Sequence, residues 1–212
     1  MEEYRTLAGP ARAEFVEKRS RFIGSIQPVS TEEEAVAFIA ARRTEFWDAT
    51  HNVYAYVLRQ GQVRRYSDDH EPKGTAGVPV LEVLLKEQVT DCVVVVTRYF
   101  GGVLLGAGGL VRAYSHGAKI ALDAAGIAIM RLCAVCRLAC SYAQYKQAEL
   151  LLGRYGGVIE DTEFAADVAL RFYLPKSRLQ ALQAALTDAF CGTLEVEQTG
   201  ERYAACLAEE EE

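Results

Sequence analysis

The feature that most restricts how this chain can fold is the run DCVVVVT at positions 91–97, an unbroken series of β-branched residues after Cys92. Such a run has no polar alternation, so it predicts a strand buried on both faces, with other elements covering each side. It leads directly into TRYFGGVLLGAGGLVRAY, from Thr97 to Tyr114, which places glycines at 101, 102, 106, 108 and 109. A helical pattern then runs from Leu110 to about Asp123, and its expected buried stripe is Leu110, Val111, Tyr114, Ala118, Ala121 and Leu122. The centre of the protein is therefore a buried strand, a glycine-rich crossover and an amphipathic helix.

The rest of the chain supplies partners for that centre. Positions 11–17 and 21–29 alternate as two strands. Thr31 is placed to cap a helix running to about Phe46, with Glu34 completing a capping box and Val36, Ile39 and Ala40 as its apolar set. His51–Leu58 reads as a strand, turned at Gln60–Gly61 into a second one through Tyr66. Ser67–Pro79, SDDHEPKGTAGVP, is a loop long enough to suggest a role of its own, and a short helix follows from Val80 to Glu87. Gly126–Met130 reads as a hinge. Beyond it come a strand at 132–139, a helix from Gln144 to Tyr155 stopped by Gly156–Gly157, and strands at 158–164 and 168–174. A helix from Pro175 to Phe190 and a last strand at 193–198, with an extension towards Leu207, complete the series. This β-α-β-β-α-β order is ferredoxin-like. The expected class is α+β in two domains, 1–130 and 131–207, with an acidic tail at 208–212.

A net charge of −6 excludes a protein that meets polyanions through its overall field. The excess is carried by residues 131–212, with 8 basic side chains against 13 acidic ones, of which Glu209–Glu212 form the terminal run. Nucleic acid would have to be met by a local basic patch. The opening MEEYRTLAGP lacks the basic and apolar regions of a secretory signal, and no run reaches the ~18 apolar residues of a membrane span, so a cytoplasmic protein with reduced cysteines is expected. Cys133, Cys136 and Cys140 resemble a metal-ligand spacing, but on a strand Cys133 and Cys136 face opposite sides, and no second pair completes a tetrahedral set. They read as structural thiols. No cofactor is implied.

Two stretches carry chemistry. In the glycine run, Gly101, Gly102, Gly106, Gly108 and Gly109 permit φ > 0 and close approach of the backbone to a ligand, and the start of the following helix would favour an anion. The run matches neither phosphate fingerprint: Ala107 stands where the Walker loop needs lysine, and Val111 where the dinucleotide pattern needs its third glycine. A purely structural crossover is the alternative. In the loop after Tyr66, Asp68 and Asp69 (with His70 and Glu71) could hold a hard cation, or could form an Asx-turn and a helix cap, with Gly74 and Thr75 closing the loop. Arg64, Arg65, Lys73, Arg98 and Arg112 would make a basic concavity if the two loops fold together, and Tyr66, Tyr99 and Phe100 could stack on bases. His51 heads its strand as a candidate acid or base, with a hydrogen-bonded structural role as the alternative.

Four segments, KRSRFIG (18–24), HNVYAY (51–56), SDDHEPKGTAGVPVL (67–81) and VVTRYFGGVLLGAGGLVRAYS (95–115), together resemble the YigZ/IMPACT family. One departure is His70, where the family pattern has glycine. The resemblance implies an N-terminal domain similar to domain two of ribosomal protein S five and a ferredoxin-like C-terminal domain similar to domain five of elongation factor G. Taken with the basic residues near the glycine run and the lack of a complete catalytic set, it points to a non-enzymatic binding module in translation or its control, contacting RNA, the ribosome or a translation factor. A different reading uses the residues alone: an enzyme on a phosphorylated or nucleotide-like small molecule. There Gly106–Gly109 would hold the phosphate, Asp68 and Asp69 would hold Mg²⁺, and His51 would be the base.

Overall fold

The structure is a computed structural model, and it describes residues 3–205. The acidic tail and residues 206–207 lie outside the described residues, while the expected extension of the last strand is present as far as Ala205. The chain divides into a compact unit of Tyr4–Ala128 and a second whose main part begins at Ile129.

In the N-terminal unit, β1 (Glu3–Leu7) is followed by β2 (Ala11–Glu17), β3 (Ser20–Pro28), α1 (Glu32–Glu45), β4 (His51–Leu58), β5 (Val63–Ser67), α2 (Gly77–Lys86), β6 (Cys92–Tyr99) and α3 (Ala107–Ala125). The sheet order is β2-β3-β6-β4-β5, every neighbouring pair antiparallel. The valine run occupies the central strand β6. Its alternation splits it between two cores: Cys92, Val94 and Val96 pack beneath α2 and α3, while Val93 and Val95 pack beneath α1. Helices on both faces explain why Val93–Val96 carry no polar position, although the sheet is antiparallel.

The helices differ from expectation at their edges. Thr31 caps α1 by accepting from the Glu34 amide at 3.3 Å, but the Glu34 carboxylate turns back to the Ser30 amide (2.6 Å) rather than to Thr31. The buried positions of α1 are Ala35 and Ile39, and Val36 is exposed, so its stripe is rotated by one residue from the expected set. In α3 the buried face is Leu110, Ala113, Tyr114, Gly117, Ala118, Ala121, Leu122 and Ala125, and Val111 points outward. This helix starts at Ala107, so Gly108 and Gly109 are helical residues and not part of the loop. Likewise α2 starts at Gly77, inside the segment expected to be loop. Gly126 (φ 70°) closes α3 and Ile127 already begins the next strand, so the expected hinge at 126–130 is mostly strand.

The second unit continues with β7 (Ile127–Cys140), α4 (Tyr142–Arg154), β8 (Val158–Phe164), β9 (Val168–Pro175), α5 (Leu179–Ala189) and β10 (Val196–Ala205). The order β10-β7-β9-β8 is the ferredoxin-like arrangement. Pro175 ends β9, and a single 3₁₀ turn precedes α5, so the proline does not open the helix itself. Ser141 and Gln144 form a complete capping box on α4. At its other end, Gly157 donates to Leu152 O (2.8 Å) and Gly156, at φ 73°, donates to Gly153 O (3.0 Å), the paired bonds of a Schellman stop. Cys136 and Cys140 join Leu138 in the helix-covered core, and alternation directs Cys133 to the opposite face.

Candidate functional site

The loop after β5 is built on Asp68. Its Oδ2 accepts from the Gly74 amide at 2.9 Å, and its Oδ1 accepts from the amides of Ala76 (3.1 Å) and Gly77 (2.8 Å). Ala76 has no side chain able to cap α2, so a carboxylate nine residues upstream of Gly77 satisfies those amides instead. Between them, the Glu71 amide donates to Asp68 O at 3.0 Å, and Asp69 and His70 sit at φ 43° and 71°. His70 thus adopts the left-handed conformation that glycine takes without strain, so the tight turn is present here with histidine in it.

Asp69 ties this turn to the sheet. Its carboxylate accepts from the Asn52 amide (2.6 Å) and from Arg43 Nη2 (2.9 Å). Its carbonyl lies 2.8 Å from His51 Nδ1. A carbonyl only accepts, so Nδ1 carries the proton and Nε2 is left facing Glu71 Oε1 at 3.6 Å. Asn52 in turn accepts from Thr97 Oγ1 at 2.8 Å through Oδ1. Both aspartates are therefore engaged by the protein, which fits the turn-and-cap alternative and leaves neither carboxylate free for Mg²⁺.

Glu71 is the centre of the site. Oε1 accepts from Arg98 Nη1 at 2.6 Å and from the Tyr114 hydroxyl at 2.7 Å, with all three residues buried. Arg98 also donates to Ser20 Oγ (3.4 Å), and its guanidinium lies over the rings of Phe22 and Phe100. Burial, followed by the bond to Glu71, drives the Tyr114 hydroxyl well above the usual tyrosine range, so it remains a donor. Glu71 joins the loop after β5 to the end of the central strand and to α3.

That joint changes the expected basic patch. Arg98 is turned inward and paired with Glu71. Arg64 and Arg65 are neighbours on β5 and point to opposite faces, Arg65 on the side of Val63 and α1. The five cations do not form one concavity. Arg64, Lys73 and Arg112 are exposed, with no ion pair among the described residues. Tyr99 is not a free stacking ring: its hydroxyl donates to Asp48 (2.8 Å), with Arg21 over its face. Thr75 donates to Pro72 O (2.7 Å), and Gly74 takes φ 78°.

The glycines also divide by role. A Cβ on Gly101 would lie 2.1 Å from the Arg19 carbonyl, so the close approach it permits is to the β2–β3 turn and not to a ligand. Gly102 and Gly106 sit at φ 80° and 74° in open space. Gly109 and Arg112 line a cleft of about 510 Å³, together with residues 15–18, Leu105, Ala113 and His116. Reading the sequence for exposed chemistry misses the joining role of Glu71, and misses Tyr114 and Ser20 as site residues. Their only signal is adjacency: Glu71 ends the acidic run, Tyr114 ends the glycine segment and Ser20 lies inside KRSRFIG.

An antiparallel sheet covered by helices on both faces, with a ferredoxin-like unit after it in the chain, makes this a two-domain α+β protein. The Impact N-terminal domain matches residues 18–122, and DUF1949, a domain of unknown function, matches 138–193. The chain belongs to the IMPACT family. It is 34% identical to the IMPACT family member YvyE of Bacillus subtilis, over 93% of this chain and 92% of that protein. It is 37% identical to YigZ of Escherichia coli, over 92% and 98% respectively. A crystal structure of a protein described only as hypothetical superposes with a TM-score of 0.60 at 36% identity, covering 95% of this chain and 100% of the other. The family extends to eukaryotes: bovine Protein IMPACT is 33% identical over 42% of this chain and 30% of its own length. Among the described residues, no helix is long and apolar enough to cross a membrane.

Proposed function

We propose that this chain is a non-enzymatic binding protein of the cytoplasm that acts in translation or its control, and that its N-terminal unit contacts RNA on or off the ribosome. One observation carries this reading. The groups that could transfer protons are each held by the protein, His51 by the Asp69 carbonyl, the Asp69 carboxylate by Arg43 and the Asn52 amide, and Glu71 by Arg98 and Tyr114, whereas Arg64, Lys73 and Arg112 stand outside without acidic partners among the described residues. A closed acid–base set is a scaffold; unneutralised surface cations are a means of meeting phosphate. Relationship to the eukaryotic IMPACT proteins supports the translation context. A translation-factor protein is the other kind of partner this reading admits.

The metal-dependent enzyme loses its main support from the same geometry, since Asp68 and Asp69 hold amides and a guanidinium. The test is sedimentation of the full chain with ribosomes from a lysate, across a salt series. Co-sedimentation at low salt that is lost steeply as salt rises is the expected result. Absence from the ribosomal fractions at low salt, with no shift of labelled RNA, overturns the proposal.

A further inference from the structure

The cleft beside α3 contains a cationic rim that the buried joint does not use. Its walls are the end of β2 and the β2–β3 turn on one side and α3 on the other. Lys18 and Arg112 contribute permanent positive charge, Glu17 one negative charge, and His116 an imidazole whose ring packs edge-on against Phe15. Val16, Leu105 and Ala113 make an apolar side. Neither Lys18 nor Arg112 has an ion pair among the described residues. Two other cations nearby are neutralised: Arg21 bonds Glu14, and Lys119 bonds Glu87 and Asp123. In a chain of net charge −6, two exposed cations left unpaired across one cleft form a local positive site able to attract an external anion.

The turn that presents Lys18 adds an independent observation. Glu17 pairs with Ser20, so Lys18 and Arg19 form a two-residue hairpin connection, at φ 43° and 68°. Such turns ordinarily use Asn, Asp or Gly, because other side chains are strained there by about 1–2 kcal/mol each. Here two long cations occupy it, and Gly101 lets the glycine segment press against the Arg19 carbonyl and hold the turn in place. The fold thus keeps a strained turn whose product is a fixed positive rim. The volume, about 510 Å³, falls within the roughly 300–1,000 Å³ of small-ligand clefts.

We infer that this cleft seats one nucleotide unit, its phosphate on Lys18 and Arg112 and its base on the apolar side formed by Val16 and Leu105. The inference rests on the reading of the N-terminal unit as an RNA-contacting module and names the place of contact. A cationic groove that tracks the backbone is the chemistry of single-strand recognition, and here aliphatic contact would take the place that aromatic stacking ordinarily fills. The same chemistry would accept a free mononucleotide, and the experiment separates the two sources.

The full chain is titrated with a short labelled single-stranded RNA by fluorescence anisotropy, and with adenosine monophosphate by amide NMR. Parent, Lys18→Ala/Arg112→Ala, Arg112→Lys and the control Lys146→Ala, on α4 of the second unit, are compared, each with its amide spectrum checked for an intact fold. The double variant is expected to bind RNA at least tenfold more weakly and to lower the slope of log affinity against log salt by about 0.7 for each phosphate interaction removed. Arg112→Lys loses less than the double variant, and Lys146→Ala leaves RNA affinity and the cleft signals unmoved. Adenosine monophosphate is expected to shift the Gly109 and Ala113 amides in the parent and not in the double variant. Equal RNA binding by parent and double variant overturns the cleft while the RNA-binding reading stands. Cleft shifts with the mononucleotide but no RNA binding keep the cleft and overturn that reading. Neither signal in the parent overturns both.

Discussion

Glu71 Oε1 and Arg98 Nη1 lie 2.6 Å apart with side chains only 4% and 5% exposed, one from a loop and the other from the central strand. The same oxygen receives the Tyr114 hydroxyl from α3. A single carboxylate thus joins the loop, the sheet and the helix in a place where water contributes little.

Breaking that pair on one side leaves a buried charge uncompensated. Glu71→Gln is expected to lower unfolding free energy by roughly 3–5 kcal/mol in urea titration, and Arg98→Met by a comparable amount. The double variant Glu71→Leu/Arg98→Met is expected to lose less than the sum of the singles. Single variants within about 1 kcal/mol of the parent would show that the pair contributes little.

Tyr114→Phe removes one donor to Glu71 and keeps the ring packed against Phe22. The expected loss is about 1–2 kcal/mol, and it should be smaller in a Glu71→Gln background, because the two groups share one bond. A strictly additive double-mutant cycle would contradict the shared hydrogen bond.

The loop conformation makes a prediction at His70, which sits at φ 71°. His70→Val places a β-branched residue in the left-handed region and is expected to cost about 1–2 kcal/mol, whereas His70→Gly should be neutral or raise the melting temperature. Equal melting temperatures for the valine and glycine variants would show that this φ is not enforced.

Two glycines of one segment should respond in opposite directions. Gly101→Ala drives a methyl to within 2.1 Å of the Arg19 backbone and is expected to destabilise by at least about 2 kcal/mol. Gly108 lies in the first turn of α3 with no backbone near its missing Cβ, so Gly108→Ala is expected to stabilise by up to about 1 kcal/mol. Thermal unfolding of the two variants distinguishes them directly.

Alkaline stability is set in part by Cys92, whose thiol is pushed up to about 12 from its ordinary 9.0, first by burial and then by the Asp91 carboxylate. The raised value means that the folded state keeps its proton where the unfolded state has lost it. The thiol's contribution is therefore complete below pH 9 and declines as pH rises from there towards 12. Cys92→Ala is expected to be less stable at neutral pH, because it opens a cavity, yet to show a flatter loss above pH 9. Parallel pH profiles for parent and variant would rule out this assignment.

How far the fold and the site are legible depends on distance along the chain. The strand of valines, the helix stop at Gly156–Gly157 and the Thr31 cap follow from neighbours within a few residues, and they stand where the sequence places them, the Glu34 arm of the cap shifted by one residue. Both α2 and α3 start earlier than local patterning indicates. The group that completes the first turn of α2 is Asp68, well upstream, and glycines in the first turn of α3 read locally as loop.

Contiguous residues suffice for the alternation of elements and for the family, since periodicity and long motifs are local properties of the chain. They do not decide the fate of Arg98. An arginine beside a glycine turn reads the same whether it reaches solvent or the interior, and the outcome rests on whether a carboxylate meets it there. Glu71 does so from 27 residues away, and Tyr114 arrives from a different helix. Folding brings these three groups together, and the charge on Arg98 can be buried because its counter-charge is buried with it and hydrogen-bonded on both sides.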